Sequence, residues 1–245
     1  GNQAMSVVIL AAAQALLLLA IRLDGFTGDG RPIWVWAWTP TPDEIFIASR
    51  GAPGGRQQGD VLPASRDLQI DAQDCPAFRG AQRTGHFACD NLDTNWDVRS
   101  PRELWRQPVG LAWSSFAVVG DYCVTQEQRG KYEVVSCYEL RTGREVWVHR
   151  DEARFYEVTS GVGPRATPAI NDGKVYALGA TGILNCLDGL SGERIWSVNV
   201  LSERQDPNCI FGMTGSPLVV DDLVIVTPGG AGNSVVAFDQ QTGHR

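Results

Sequence analysis

From about Arg102 onward, short apolar runs alternate with turns rich in Gly, Asp and Asn. Three stretches align: Ser115-Phe-Ala-Val-Val-Gly-Asp-Tyr-Cys-Val, Thr167-Pro-Ala-Ile-Asn-Asp-Gly-Lys-Val-Tyr and Ser216-Pro-Leu-Val-Val-Asp-Asp-Leu-Val-Ile. Each is two apolar runs split by a tight turn, the pattern of a β-hairpin. A second block follows in every unit: Cys137-Tyr-Glu-Leu-Arg-Thr-Gly-Arg-Glu-Val-Trp147, Cys186-Leu-Asp-Gly-Leu-Ser-Gly-Glu-Arg-Ile-Trp196 and Ala237-Phe-Asp-Gln-Gln-Thr-Gly243. Gly143, Gly192 and Gly243 recur at steps of 49 and 51 residues. Four short strands at that period predict a propeller blade, not a helical repeat. The expected fold is therefore all-β, with residues 102–245 forming about three four-stranded blades. A closed ring of seven or eight blades needs about 350–400 residues. The chain, which starts on Gly and stops at Arg245, is accordingly read as a piece of a longer protein.

The second block has a physical reading. Glu139, Asp188 or Asp239 can accept hydrogen bonds from turn N–H groups, the hydroxyl of Thr142, Ser191 or Thr242 supports the same turn, and Gly143, Gly192 and Gly243 supply positive φ. Trp147 and Trp196, five residues beyond the hydroxyl, are expected to lie flat between adjacent sheets. Trp105, in Glu103-Leu-Trp-Arg, has no such turn before it and is read as part of the strand that completes the last blade. These residues are assigned to architecture.

Ahead of the repeats, Ser6 to Ile21 carries no charge, and extending the run from Ala4 to Leu23 reaches bilayer-spanning length. Residues 1–23 are expected to form a transmembrane helix, because neither the basic flank nor the cleavage site of a signal peptide is visible. Residues 24–101 are read as a linker and pre-propeller segment. Within it, Trp34, Trp36 and Trp38 form a stripe that suits either the membrane interface or an apolar patch of the following domain. Thr41-Pro-Asp-Glu predicts a capped helix through about Ser49. The Gly-rich Gly51–Gly59 stretch is no phosphate loop, since no Lys-Ser/Thr follows it.

Composition narrows function. A net charge of −7 and a pI near 5.0 exclude a basic nucleic-acid-binding stripe. Three His and the spacing of six Cys argue against a metal centre, so no metal site is expected, and the absence of CxxCH excludes covalent c-type haem. Cys137 and Cys186 share the repeat position of Ala237, which points to a small buried side chain. Cys123 and Cys137 flank Gly130 symmetrically, open to a cross-strand contact, and Cys75 and Cys89 are open to a disulfide.

The A/C-x-D/E-x-x-T/S-G-x-x-x-W block resembles the pyrroloquinoline-quinone-like (PQQ-like) propeller repeat shared by quinoprotein dehydrogenases and by the propeller subunit of the outer-membrane β-barrel assembly machinery. Pro76-Ala-Phe-Arg-Gly-Ala-Gln-Arg-Thr-Gly85, Trp113-Ser-Ser-Phe and Gly163-Pro-Arg-Ala-Thr-Pro168 resemble a membrane-anchored bacterial subgroup of planctomycete type. The resemblance implies a membrane-tethered, periplasmic binding or assembly platform with an envelope protein as partner. The alternative is a PQQ-dependent dehydrogenase with Ca²⁺ and the quinone at the ring centre; the vicinal Cys pair expected of such an enzyme is absent. No catalytic residue and no cofactor is evident.

In an up-and-down blade the A–B and C–D turns share one face and the B–C and D–A connections share the other. The second face is expected to carry three long charged segments: 126–133, 148–166 and 201–214. Long polar loops on a rigid sheet favour binding. Gln126, Glu127, Arg129, Arg154, Glu157 and Arg165 are therefore the candidate ligand or partner contacts, with Arg165 and Glu127 foremost. The competing reading is a set of salt bridges between blades, worth about 0–1 kcal/mol each if exposed.

Overall fold

A computed structural model describes residues 5–6, 14, 18–50, 68–87, 92–201 and 208–245. Its repeats fold as expected into successive antiparallel meanders. The first sheet holds β3 (Ala117–Val119), β4 (Tyr122–Arg129), β5 (Tyr132–Glu139) and β6 (Glu145–Asp151) in that order. After the small hairpin β7 (Tyr156–Glu157) and β8 (Gly161–Val162), the second comprises β9 (Ala169–Asn171), β10 (Lys174–Leu178), β11 (Ile183–Asp188) and β12 (Arg194–Asn199). The third has three strands, β13 (Leu218–Val220), β14 (Leu223–Val226) and β15 (Val236–Asp239). These are blades 1 to 3 of an arrangement consistent with part of a propeller.

β4, β5 and β10 are buried at almost every position because the sheets of blades 1 and 2 are covered on both faces. One apolar cluster joins blades 1 and 2 through Val124, Val135, Cys137, Trp147, Ile170, Val175 and Leu187. A second joins blades 2 and 3 through Tyr176, Leu184, Cys186, Trp196, Val224 and Phe238. The first strands β3, β9 and β13 neighbour one another and define the inner edge. Along it the repeated hydroxyls form a belt: Thr167 Oγ1 accepts from Ser115 N–H at 3.2 Å, and Ser216 Oγ accepts from Thr167 N–H at 2.9 Å. Asp172 and Gly173, with φ of 47° and 70°, make the β9–β10 connection a two-residue turn of the type that matches strand twist.

The N-terminal region differs from its expectation. Ile21–Leu23 are not the end of a helix but open strand β1 (Ile21–Phe26), which pairs with β2 (Pro32–Trp36). The bend at Asp24-Gly25, together with Thr27-Gly28-Asp29-Gly30, turns the chain back on itself. Among the described residues no helix is long and apolar enough to cross a membrane; most of the run from Ala4 to Ala20 lies outside them. The capped helix is present as α1 (Pro42–Arg50). Thr41 Oγ1 accepts from Glu44 N–H at 3.1 Å while Glu44 Oε2 accepts from Thr41 N–H at 2.7 Å, a reciprocal capping box. The stretch Gly51–Gly59 lies outside the described residues.

Candidate functional site

The second repeat block builds an inter-blade lock. In blade 2, Asp188 Oδ1 accepts from Ser191 N–H and Ser191 Oγ–H at 2.8 Å each; in blade 3, Asp239 Oδ1 accepts from Thr242 N–H at 2.8 Å and Thr242 Oγ1–H at 2.7 Å. Glu139 does the same in blade 1 with Thr142 Oγ1–H at 2.5 Å. A bulge follows Cys137 and Cys186 at the same repeat position and re-aims the strand toward the turn. Each tryptophan then reaches the next turn. Trp105 Nε1 donates to Leu140 O at 2.8 Å, Trp147 to Gly189 O at 3.0 Å and Trp196 to Gln240 O at 3.0 Å.

The glycines explain themselves at these contacts. Gly143, Gly192 and Gly243 have φ of 68°, 72° and 70°, and a Cβ on Gly243 would sit 2.8 Å from Trp196 Cδ2. A Cβ on Gly143 or Gly192 would overlap Trp105 or Trp147. Trp105 thus occupies on blade 1 the place that Trp147 occupies on blade 2, although residues 101–110 form no regular strand.

The expected charged loop at 126–133 does not exist. β4 and β5 continue through it to a two-residue turn at Gly130-Lys131, with Arg129 opposite Tyr132. Gln126, Glu127 and Gln128 are buried because their polar atoms are spent on hydrogen bonds inside the protein. Gln126 Nε2 donates to Ala166 O at 2.7 Å, tying blade 1 to blade 2. Gln128, which sequence reasoning did not single out, donates to Ala153 O at 2.9 Å and accepts from Phe155 N–H at 3.3 Å, holding the D–A loop.

The six candidates therefore do not converge. Glu127 lies on the face of β4 away from blade 2, where its carboxylate receives Arg129 Nη2 at 2.7 Å, Tyr138 Oη–H at 2.7 Å and Gly110 N–H. Burial pushes the Glu127 carboxyl up, but the hydrogen bond and charge of Arg129 outweigh it and hold the pKa below the ordinary value. Arg129 also bonds Glu145 at 2.6 Å and stacks over the Phe46 ring of α1. Arg154 pairs with Asp43 of α1 at 2.8 Å, and Asp43 Oδ1 also accepts from Gly130 N–H at 3.1 Å. Arg165 makes no pair with Glu127; its guanidinium donates to Ser160 O at 3.1 Å and to Gly163 O, over the Phe155 ring. Glu157 accepts from Thr159 and Ser160 N–H at 2.9 and 2.8 Å and shapes its own turn. Gln126, Glu127, Arg129 and Arg165 are thus committed to internal bonds, whereas the turn from Tyr156 to Thr159 remains displayed on the loop end.

The unforeseen feature is the segment from Asp74 to Gly85, which contains the Pro76–Gly85 motif. Cys75 pairs with Val118 on β3 through N–H···O bonds of 2.9 and 2.7 Å, Pro76 O accepts from Ile170 N–H on blade 2 at 2.7 Å, and Arg83 donates to Pro217 O beside β13. The segment crosses the inner edges of all three blades. Its compactness is local: Gly85 N–H bonds Arg79 O at 3.0 Å, and Arg79 Nη2 bonds Thr84 O at 2.8 Å. Gly80 and Gly85 at positive φ were the readable sign of a folded loop there.

The thiols are packing groups. Cys137 and Cys186 are fully buried. Burial pushes Cys123 and Cys186 up to about 11 and Cys137 well above its ordinary value, so none is a thiolate near neutrality. Cys123 and Cys137 do not meet across the strands: Cys123 faces Tyr138 and Cys137 faces Val124, which puts the two on opposite faces of the sheet. Cys89 lies outside the described residues. Among the described residues no three His, Cys, Asp or Glu converge to hold a metal ion.

Residues 94–245 match the family described as outer membrane protein assembly factor BamB. Quinohemoprotein alcohol dehydrogenase ADH-IIG of Pseudomonas putida is 33% identical over 121 residues, 46% of this chain and 16% of that protein. Outer membrane protein assembly factor BamB of Xanthomonas campestris pv. campestris is 36% identical over 83 residues, 34% of this chain and 20% of that protein. The chain thus spans a fifth or less of the length of these relatives. The crystal structure of quinohemoprotein alcohol dehydrogenase from Comamonas testosteroni superposes with a TM-score of 0.53 at 21% identity, covering 73% of this chain and 28% of that one, a likeness of fold.

Proposed function

The chain belongs to the PQQ-like repeat family described as outer membrane protein assembly factor BamB, and on that premise we propose that it is a membrane-tethered, periplasmic propeller that works as a binding or assembly platform for an envelope protein. The observation that carries this reading is the inner edge. The side chains that recur from blade to blade are consumed by turns and inter-blade locks, while Cys75 and Pro76 bond the backbone of β3 and β9 and the Arg83 side chain reaches Pro217 O just ahead of β13. Recognition is left to the loop end, where Tyr156, Val158 and Thr159 project from the D–A connection and Ile210 and Phe211 from the next one.

The test is site-specific photo-crosslinking in the envelope. A photoreactive residue at Thr159 is expected to give a discrete protein adduct, whereas one at Arg141, on the turn-bearing end, is not. Equal labelling from both positions, or none from Thr159, overturns the proposal. The similarity to quinohemoprotein dehydrogenases favours one rival, an oxidoreductase. Incubating the purified protein with PQQ and Ca²⁺ and following dye reduction by alcohols decides against the platform if turnover is robust.

A further inference from the structure

We infer that the β1–β2 hairpin presents Trp34, Trp36 and Trp38 to the headgroup interface of the bilayer and so turns the loop end of blade 1 toward the membrane. The inference rests on the tethered reading above and adds to it a lipid-contacting surface and an orientation. The three indoles are 59%, 51% and 69% exposed, and Trp36 and Trp38 stack at 5.1 Å with planes 7° apart. Each keeps half or more of its surface open. Trp34 and Trp36, two apart on β2, share one face of the hairpin.

What covers them follows from where the uncharged run ends. Ala20 O accepts from Ala37 N–H at 2.8 Å, and Ile21 is the cross-strand partner of Trp36. The end of the apolar run and the aromatic stripe are therefore neighbours in space. Ala4 to Ala20 counts 17 residues, against about 20 for crossing a hydrocarbon core. A short span draws its flanks into the interface, and indoles are the side chains best suited to that depth.

α1 is fastened to the loop end, where Asp43 grips Gly130 and Arg154. The hairpin precedes α1 directly in the chain, and a Cβ on its Gly25 would come 3.9 Å from Val158 O. Ile45, Trp113 and Tyr156 are also exposed at this end. A partner that reaches these loops is therefore one lying in or on the same membrane.

The whole chain is reconstituted into vesicles of phosphatidylcholine and phosphatidylglycerol, with the phosphatidylcholine brominated high on its acyl chains, and tryptophan emission is compared with that in unbrominated vesicles. Quenching limited to the share of three among the eight indoles is expected, and W34A/W36A/W38A is expected to abolish it while the blade tryptophans keep their emission. A W34F/W36F/W38F variant, which keeps the hairpin packing, is expected to lose quenching equally. Unquenched wild-type emission, or quenching that survives either triple variant, overturns the inference. Alkaline carbonate separates the two failures: a chain retained in vesicles yet unquenched leaves the tether standing, and a chain released by carbonate ends both readings.

Discussion

Gly192→Ala measures the inter-blade lock directly, because a matched control exists in the same blade. Gly192 and Gly173 have nearly equal positive φ, 72° and 70°, so alanine at either position adopts a left-handed conformation costing about 1–2 kcal/mol. They differ in surroundings. A Cβ on Gly173 meets nothing within 4 Å, whereas one on Gly192 runs into Cε3, Cδ2 and Cγ of Trp147. Trp147 is 3% exposed and held by its Nε1–H bond to Gly189 O, so the ring cannot swing away without leaving a buried carbonyl unpaired. Overpacking of this kind adds about 1–3 kcal/mol. Urea unfolding of the whole chain, followed by Trp emission, is expected to show Gly192→Ala falling below Gly173→Ala by that margin, or by about 0.3–1 M in midpoint for a slope near 3 kcal/mol/M. Equal midpoints for the two variants would falsify the claim that the indole is wedged against the turn.

Three further outcomes follow from the same geometry. Trp147→Phe keeps most of the apolar area but strands Gly189 O, and should cost about 1–3 kcal/mol in thermal or urea unfolding; Trp105→Phe, half-buried on blade 1, should cost less. The Glu127 carboxyl in the folded protein lies below its ordinary 4.5, so its pairing with Arg129 contributes stability above that pH and loses it as pH falls through the lowered folded value. Glu127→Gln should cost about 3 kcal/mol or more at neutral pH and flatten the acid limb of the unfolding midpoint against pH; an unchanged acid limb would refute the assignment. In native protein at neutral pH a maleimide should label exposed Cys209, while Cys123, Cys137 and Cys186 should react only in denaturant, as read by mass spectrometry.

The repeat was legible because its determinants are local. An acidic residue, a hydroxyl three positions on and a glycine next to it define a turn whose hydrogen bonds close within five residues, and recurrence near 50 residues does the rest. The capping box of α1 was legible for the same reason. The candidate site was not. Gln126 to Arg129 has the composition of a loop, and nothing local says that Glu127 will meet Gly110, Gln126 the carbonyl of Ala166, or Arg154 the carboxylate of Asp43.

The sequence alone determined the blade order, the strand count per unit, the docking role of Trp147 and Trp196, and the small buried position of Cys137 and Cys186. Only the tertiary structure decided which charges are free, because a polar side chain becomes internal or displayed according to partners 17, 40 and 111 residues away. It alone also laid Asp74–Gly85 across three inner strands, where backbone N–H and C=O groups left unpaired by short edge strands find their bonds.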